Sequence, residues 1–205
     1  MVETLRARGI RDERVLQAME RVPRHEFVPE PLREQAYEDH PLPIGEGQTI
    51  SQPYIVGIAL EALSLRATDR VLEVGGGSGY QTALLAELTE HVDSVERQQS
   101  LALAARSTLA RLGYANVTVS AGDGSLGLGV RSPFDAMVVS AAAPYLPAAL
   151  FEQLREGGRM VIPVGRPRAQ ELQLVMKQAG RAVITNLGGC SFVPLIGAQG
   201  YTSGW

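Results

Sequence analysis

The sequence is poor in cysteine and in long apolar runs, and each shortage excludes certain classes of protein. Cys190 is the single cysteine among 205 residues, which excludes an internal disulfide and a cysteine-rich metal site. No apolar run approaches the roughly 20 residues that a membrane-spanning helix needs. The first 14 residues carry many charges, unlike a signal peptide. We therefore expect a soluble cytoplasmic protein with no metal ion and no membrane partner.

An excess of charge of one sign is also missing. The formal net charge is -3, from 19 basic and 22 acidic residues with no long run of either. Nucleic-acid-binding proteins usually carry a basic stripe that contacts phosphates, so no nucleic-acid partner is expected. A chain of 205 residues is typical of one domain with a core large enough to need no disulfides. We expect a single domain over 1–205 and a monomer.

From residue 70 onward, strand and helix patterns alternate along the chain. This alternation predicts an α/β fold with a mostly parallel, doubly wound sheet and helices on both faces. The predicted strands lie near 70–74, 92–96, 117–121, 135–140 and 158–164, and the predicted helices near 79–90, 98–112 and 146–155. Gly157-Gly158 suits the C-cap and turn after the last of these helices.

The two ends of the chain differ from this alternating core. The N-terminal part shows helical patterns at 11–21 and 54–63, separated by a proline-rich loop segment. After Pro167, apolar residues alternate at 172–176 and at 182–184, on either side of a turn at Gly180. This pattern predicts an antiparallel pair of strands that closes one edge of the sheet.

A glycine-rich turn between the first core strand and its helix is the most informative feature. Gly75, Gly77 and Gly79 follow an apolar strand and precede a helix that begins at Tyr80. Glycines let a ligand approach the backbone, and the helix start offers free N–H groups, so this order predicts a nucleotide-binding corner. A dinucleotide fingerprint would need glycine at position 80. A plain tight turn is the alternative.

Two acids follow the next two strands, at the same predicted edge. Glu96 ends the second strand about 20 residues after the glycine turn, where an acid can accept hydrogen bonds from ribose hydroxyls. Asp123, between Gly122 and Gly124, could accept one from an exocyclic amine such as that of adenine. The alternatives are a solvated carboxylate at a strand end and an ordinary Asp-Gly turn.

Motifs spread over nearly the whole chain resemble those of the protein-L-isoaspartate (D-aspartate) O-methyltransferase family. The glycine turn with the preceding Glu73 is similar to motif I of S-adenosylmethionine-dependent methyltransferases. The segment around Thr49-Ile50-Ser51 is the most discriminating part, because generic methyltransferases lack it. The matching segments are 22–25, 27–29, 36–39, 48–54, 71–82, 94–97, 122–124, 156–159, 162–165 and 192–195.

This resemblance implies a fold and a reaction. The fold would be Rossmann-like, with a seven-stranded sheet, an N-terminal helical and loop extension over 1–65, and a cofactor-binding core over 66–205 with an antiparallel C-terminal edge. The reaction would transfer a methyl group from S-adenosylmethionine to the free α-carboxylate of L-isoaspartyl residues in damaged proteins and peptides. Ring closure of the ester to a succinimide would then initiate repair. Acceptance of D-aspartyl residues is left open.

The resemblance also assigns residues to the site. Ser51 matches the family's active-site serine, and Val193 lies in the segment that borders the peptide substrate. The implied cofactor-binding residues are Thr49, Ile50, Gly75, Gly77, Gly79, Glu96, Asp123 and Gly124. Gly76 and Ser125 differ from the commoner family choices, and these positions bear on substrate preference more than on the reaction.

Ser51 has no evident histidine partner, so we do not expect a covalent nucleophile. We expect its hydroxyl to orient the acceptor carboxylate by a hydrogen bond. The alternative role is a local hydroxyl that caps the helix starting at Pro53.

Three other functions compete with this hypothesis. The enzyme could methylate a different small carboxylic acid, or the chain could bind isoaspartyl proteins without turning them over. A nicotinamide-dependent dehydrogenase is disfavoured by the glycine spacing and by the absence of an obvious catalytic His or Tyr-Lys pair.

Overall fold

A seven-stranded sheet forms the centre of the protein in the computed structural model, which describes residues 1–204. The N-terminal third places three helices and a short hairpin against it. In chain order the helices and strands are α1 (Val2–Ala7), α2 (Glu13–Arg21), β1 (Leu42–Gly45), β2 (Gln48–Ile50), α3 (Pro53–Leu63), β3 (Arg70–Val74), α4 (Tyr80–Leu88), β4 (His91–Glu96), α5 (Gln99–Arg111), β5 (Val117–Ala121), β6 (Phe134–Val139), α6 (Ala148–Gln153), β7 (Leu154–Arg166), β8 (Ala169–Gln178) and β9 (Arg181–Cys190). Short 3-10 turns lie at Arg24–Phe27, Glu30–Gln35, Gly124–Leu126 and Gly129–Arg131.

The strand order across the sheet is β5-β4-β3-β6-β7-β8-β9. The first five strands in this order are parallel, and β8 and β9 are antiparallel to their neighbours. The predicted mostly parallel, seven-stranded sheet with an antiparallel C-terminal edge is therefore confirmed. The chain runs outward from β3 to β5 and then returns to place β6 beside β3. This reversal creates a crevice at the carboxyl end of β3, where doubly wound proteins bind ligands.

Apolar side chains cover both faces of the central strands, as expected for parallel strands buried on both sides. Val71 faces a core shared with α1 to α5, whereas its neighbour Leu72 faces a second core beside α6. Leu5 and Leu60, from the N-terminal extension, pack in the same core as Val71. The predicted division into an extension over 1–65 and a core over 66–205 stays a prediction. One apolar core includes residues from both sides of that boundary.

Helix α2 shows how sequence sets the ends of these elements. The Asp12 carboxylate accepts hydrogen bonds from the amides of Arg14 (2.9 Å) and Val15 (3.4 Å), which is a standard N-cap. Its buried residues are Val15, Leu16, Ala18 and Met19, which form the stripe that the helical pattern at 11–21 predicted. The helix α1 and the β1–β2 hairpin were not predicted.

The end of α6 corrects one prediction. The helix stops at Gln153, and Gly157-Gly158 lie inside β7 rather than at a C-cap. The register of β7 on β6 shifts between the pairs at Leu154 and at Arg159, so these glycines occupy an irregularity in the strand. Lys177 instead satisfies the carbonyls at this end of the helix. Its Nζ donates to the carbonyl oxygens of residues 151 and 152, in the last turn of α6, at 3.1 and 3.2 Å, and to that of residue 154, just after the helix, at 2.8 Å.

Within residues 1–204, none of the helices combines the length and the apolar character that crossing a membrane requires.

Candidate active site

A cleft of about 810 Å³, counting space open to solvent, lies at the carboxyl ends of β3, β4 and β6. Its position follows from the strand order, because the crevice opens where the chain reverses beside β3. Gly75 follows β3, Glu96 ends β4, and Ser140 follows β6, and all three line the cleft. The main chain joins these strand ends, since the amide of Gly75 donates to the carbonyl of Val95 and that of Ser140 to the carbonyl of Val74, both at 2.8 Å.

The glycine turn forms one wall of the cleft. Gly75 and Gly77 have φ values of 86° and 54°, in the left-handed region that favours glycine. The Gly77 amide donates to Glu96 Oε2 at 2.9 Å, and the Gln98 amide donates to Glu96 Oε1 at 2.8 Å. These two bonds hold the carboxylate of Glu96, a residue that is 6% exposed, at the cleft wall with lone pairs left for a ligand.

Gly124 lines the cleft beyond Glu96. A Cβ atom at this position would come within 2.5 Å of Val74 Cγ1, so the backbone lies directly against β3. A larger residue would force the turn after β5 away from the cleft.

Two predicted cofactor residues lie outside the cleft walls formed by residues 1–204. Gly79 is the N-cap of α4 with φ 88°, and a Cβ there would lie 3.2 Å from that of Ala105. Gly79 therefore permits close packing of α4 against α5. Asp123 turns its carboxylate toward the C-terminal segment instead, where Oδ2 accepts from the Ala198 amide at 2.8 Å.

The Asp123 carboxylate is also bonded within its own turn. Oδ1 accepts from the Ser125 amide (2.9 Å) and from the Ser125 hydroxyl (2.7 Å). Partial burial works to raise the pKa of Asp123, but the bonds from Ala198 and Ser125 outweigh it and hold the pKa below its usual value. This carboxylate is ionised at neutral pH and fastens the 195–201 segment beside the cleft.

Ser51 lies between β2 and α3 and lines both this cleft and a second, adjoining one. It is not a helix cap: the N-cap of α3 is Gln52, which makes no side-chain cap. The Tyr54 amide donates instead to Asp39 Oδ1 at 2.9 Å, and Gln52 Nε2 donates to the Asp39 carbonyl at 2.9 Å. The structure therefore gives no support to the local capping role.

The second cleft encloses about 1460 Å³, again counting open space. Its walls include Gln52 and Ile55 on one side and Cys190, Phe192 and Val193 on the other. Residues 48, 49, 51, 140, 193, 194 and 196 line both clefts, so the two spaces share a boundary. Such a space can take a chain segment rather than only a small molecule.

Beneath the glycine turn lies a polar network that the sequence did not reveal. Glu73 is fully buried and accepts hydrogen bonds from the Thr82 hydroxyl, from Ser94 Oγ (2.7 Å) and from Gln81 Nε2 (3.3 Å). Gln81 Nε2 also donates to Ser140 Oγ at 2.9 Å, which extends the network to the cleft wall. Burial raises the pKa of Glu73 despite these donors. An acid inside an apolar strand was the available signal.

Comparisons with known proteins agree over the length of the chain. The family model described as Protein-L-isoaspartate(D-aspartate) O-methyltransferase matches residues 1–200. A protein-L-isoaspartate O-methyltransferase of Koribacter versatilis is 58% identical over 203 residues, covering 98% of this chain and 91% of the relative. One of Methanoculleus marisnigri is 56% identical over 202 residues, covering 98% and 92%.

Solved structures give the same result. One protein-L-isoaspartate O-methyltransferase superposes with a TM-score of 0.88 at 31% identity, covering 97% of this chain and 66% of that longer chain. A second, from Plasmodium falciparum, is described as a putative enzyme of this type in complex with S-adenosyl-L-homocysteine. It has a TM-score of 0.82 at 28% identity and covers 93% of this chain and 94% of its own.

Proposed function

The chain belongs to the protein-L-isoaspartate (D-aspartate) O-methyltransferase family, and on this basis we propose that its two adjoining clefts bring a methyl donor and an isoaspartyl peptide together beside Ser51. The protein is an S-adenosylmethionine-dependent methyltransferase that acts on isoaspartyl residues in protein repair. Which residues perform each step is the proposal.

The observation that supports this assignment best is the shared boundary of the clefts. Ser51, Thr49 and Val193 face both spaces, whereas Glu96 and the glycine turn face only the first. A donor in the first cleft and a peptide in the second would therefore meet at Ser51. We propose that Ser51 and Val193 contact the peptide. Thr49, which lines both clefts, would contact both the peptide and the donor, and Ile50, which lines only the first, would contact the donor.

The residues of the first cleft suit S-adenosylmethionine. The open backbone of Gly75 and Gly77 admits close approach of the ligand, and the Glu96 carboxylate can accept from the two ribose hydroxyls. Gly124 would border the adenine. Asp123 would act from behind this wall, by holding the turn and the 195–201 segment, and Gly79 by packing α4. When bound, S-adenosylmethionine supplies an electrophilic methyl group on its sulfonium sulfur.

The acceptor needs little acid-base help from the protein. A carboxylate is already ionised at neutral pH, so no general base is required. The three histidines bond elsewhere: His25 to the Tyr37 hydroxyl (2.6 Å), His40 to Glu38 (2.9 Å) and His91 to Thr118 (3.3 Å). The contribution of this chain is then to hold the acceptor oxygen in place, and such positioning can supply about 7–11 kcal/mol. We propose that the Ser51 hydroxyl donates the orienting hydrogen bond.

The partners we propose are isoaspartyl-containing peptides and proteins. The large second cleft supports them over a small carboxylic acid, because its walls extend from Pro41 to Phe192. A monomeric state, a cytoplasmic location and the lack of nucleic-acid and membrane partners stay predictions.

A methyl-transfer assay on matched peptides tests the proposed function. Labelled S-adenosylmethionine is given with an isoaspartyl peptide or with its normal aspartyl twin, and released methanol is counted. Transfer to the isoaspartyl peptide alone is expected. Transfer to small carboxylic acids but to neither peptide would show a different acceptor. Cofactor binding with no turnover on either peptide would show a binding module instead.

A further inference from the structure

Arg24 is among the largest fully buried side chains of residues 1–204, with 0% of its surface exposed. It lies in the 3-10 turn Arg24–Phe27, well before the glycine turn in sequence. No carboxylate of residues 1–204 forms an ion pair with it; its partners there are two main-chain carbonyls and one aromatic ring. Burying a charge without an ion-pair partner is costly, so the contacts that it makes need a reason.

Both carbonyl contacts are short and come from different segments. Nε donates to the Ala36 carbonyl at 2.7 Å, and Nη2 donates to the Ser51 carbonyl at 2.8 Å. The second contact falls on Ser51, the residue that lines both clefts. Fixing the carbonyl of Ser51 restricts the rotation of its peptide plane, and this in turn restricts where the Ser51 hydroxyl can point.

The guanidinium also contacts a second residue of the cleft lining, Tyr80. Its Cζ lies 4.7 Å from the centroid of the Tyr80 ring, a cation–π contact, and Tyr80 lines the first cleft at the start of α4. Phe27 packs edge-on against the same ring at 5.7 Å. Arg24 therefore joins residues 51–52, the loop between β2 and α3 (the Ser51 loop), to helix α4, which follows the glycine turn. Burial lowers the pKa of Arg24 and raises that of Tyr80 to about 12, so the ring stays neutral beneath the cation.

The other supports of the Ser51 loop act on its neighbours. Ile50 pairs with Leu42 in the β1–β2 hairpin, and Gln52 bonds to the Asp39 carbonyl. Only the Arg24 bond, among those made by residues 1–204, acts directly on the carbonyl of Ser51. The loop can therefore remain folded without Arg24 while Ser51 itself loses its fixed orientation.

We infer that Arg24 is a positioning residue for methyl transfer, which sets the orientation of Ser51 through its main-chain carbonyl. The inference rests on the proposed role of Ser51. Arg24 touches neither cleft and so contacts no reacting atom. Lysine could keep the charge but could not reach two carbonyls and stack on Tyr80 with one planar group.

Arg14 offers a matched control. It also donates to two main-chain carbonyls, those of Leu65 (2.6 Å) and Leu88 (2.9 Å), but these lie away from both clefts. The variants Arg24→Lys, Arg24→Met, Arg14→Lys and Arg14→Met are compared by circular dichroism and thermal unfolding, and kinetics are expressed per folded protein. Arg24→Lys is the working variant if Arg24→Met does not fold.

Kinetics separate a positioning role from a purely structural one. For Arg24→Lys we expect kcat on an isoaspartyl peptide to fall by about 10-fold or more, because a small misplacement at the reacting centre is costly. The Kd for S-adenosylmethionine should change by less than about threefold, as should kcat for the Arg14 variants. Unchanged kcat and KM in folded Arg24→Lys would overturn the inference.

A double-mutant cycle with Ser51→Ala tests the route. If Arg24 acts through Ser51, adding Arg24→Lys to Ser51→Ala should slow transfer little further. If the two losses multiply instead, while Ser51→Ala alone is slow, this inference fails and the role of Ser51 stands. Full activity of Ser51→Ala would remove both roles, whereas transfer to isoaspartyl peptides by the unmodified protein would still support the proposed reaction.

Discussion

The Gly77 amide donates a hydrogen bond to the Glu96 carboxylate across 2.9 Å, and so joins the glycine turn to the end of the neighbouring strand. The two features that the sequence assigned separately to the cofactor form one unit. With the Gln98 amide on its other oxygen, the carboxylate is held before any ligand arrives. Preorganisation of this kind lowers the cost of ordering the site on binding.

Replacing Glu96 by Gln should weaken the binding of S-adenosylmethionine. The amide nitrogen of glutamine cannot accept from either the protein amides or a ribose hydroxyl, and the charge is lost. Loss of one or two charge-assisted bonds corresponds to an increase in Kd of about 10- to 100-fold. Isothermal titration calorimetry with the cofactor measures it directly.

Glu90→Gln is the control, because Glu90 is exposed and lies just before the first residue of β4, at the end of the strand away from Glu96. Its Kd should equal that of the unmodified protein. If Glu96→Gln also binds the cofactor unchanged, Glu96 is not part of the cofactor site.

Replacing Ser51 by Ala should slow methyl transfer and leave cofactor binding largely intact. The variant removes the hydroxyl of a residue that lines both clefts. The loss of one orienting hydrogen bond should lower kcat by about 10-fold. Single-turnover rates with an isoaspartyl peptide measure the step, and Ser107→Ala, on the exposed side of α5, serves as the control. A rate equal to that of the control would rule out the role.

The sequence predicted the sheet well because buried parallel strands have a local signature. Val71, Leu72 and Val74 form a short apolar run, and the glycines after them mark where the strand ends. Once parallel strands are recognised, Glu96 must lie at the same edge as Gly75. This part of the site therefore follows from topology and strand ends alone.

Contacts between distant segments left no comparable signal. The sequence does not reveal that Lys177 donates to the carbonyls at the end of α6, that Asp123 accepts from the Ala198 amide, or that Arg24 donates to the Ser51 carbonyl. Each of these depends on a side chain meeting a main-chain group, for which no residue pattern is required. The short β1–β2 hairpin was hidden for another reason: Pro41 and Pro43 made its segment look like a loop.

Replacing Asp123 by Asn should loosen the C-terminal segment. The amides of Ser125 and Ala198 would lose a charged acceptor, which costs about 1.5–3 kcal/mol per bond in a buried setting and less here, where Asp123 is half-buried. Hydrogen exchange of a peptide covering 196–204 should speed up several-fold. Asp12→Asn, at the α2 N-cap, should leave that exchange unchanged.

The sign of the pH dependence follows from the lowered pKa of Asp123. A carboxyl whose folded pKa is depressed contributes stability above its unfolded pKa, about 3.9, and loses it as the pH falls through the folded value. The difference in exchange between Asp123→Asn and the unmodified protein should thus be full at neutral pH and shrink below about pH 4. A difference that grows in acid would contradict the proposed fastening.

Replacing Glu73 by Gln should give the opposite pH dependence. Burial raises the folded pKa of Glu73, so its contribution to stability is complete below the unfolded pKa of about 4.3 and is lost as the pH rises through the folded value. Glutamine does not ionise, and its oxygen can still accept from Ser94. In urea titrations, the unfolding free energy of Glu73→Gln relative to the unmodified protein should therefore rise with pH.

Asp135→Asn is the control with the opposite sign. Burial works to raise the pKa of Asp135, but the hydrogen bonds from Arg70 and Arg155 lower it by more. That variant should be less stable than the unmodified protein at neutral pH and approach it in acid. If Glu73→Gln loses relative stability as the pH rises, the buried carboxylate is stabilised by its donors more than burial disfavours it.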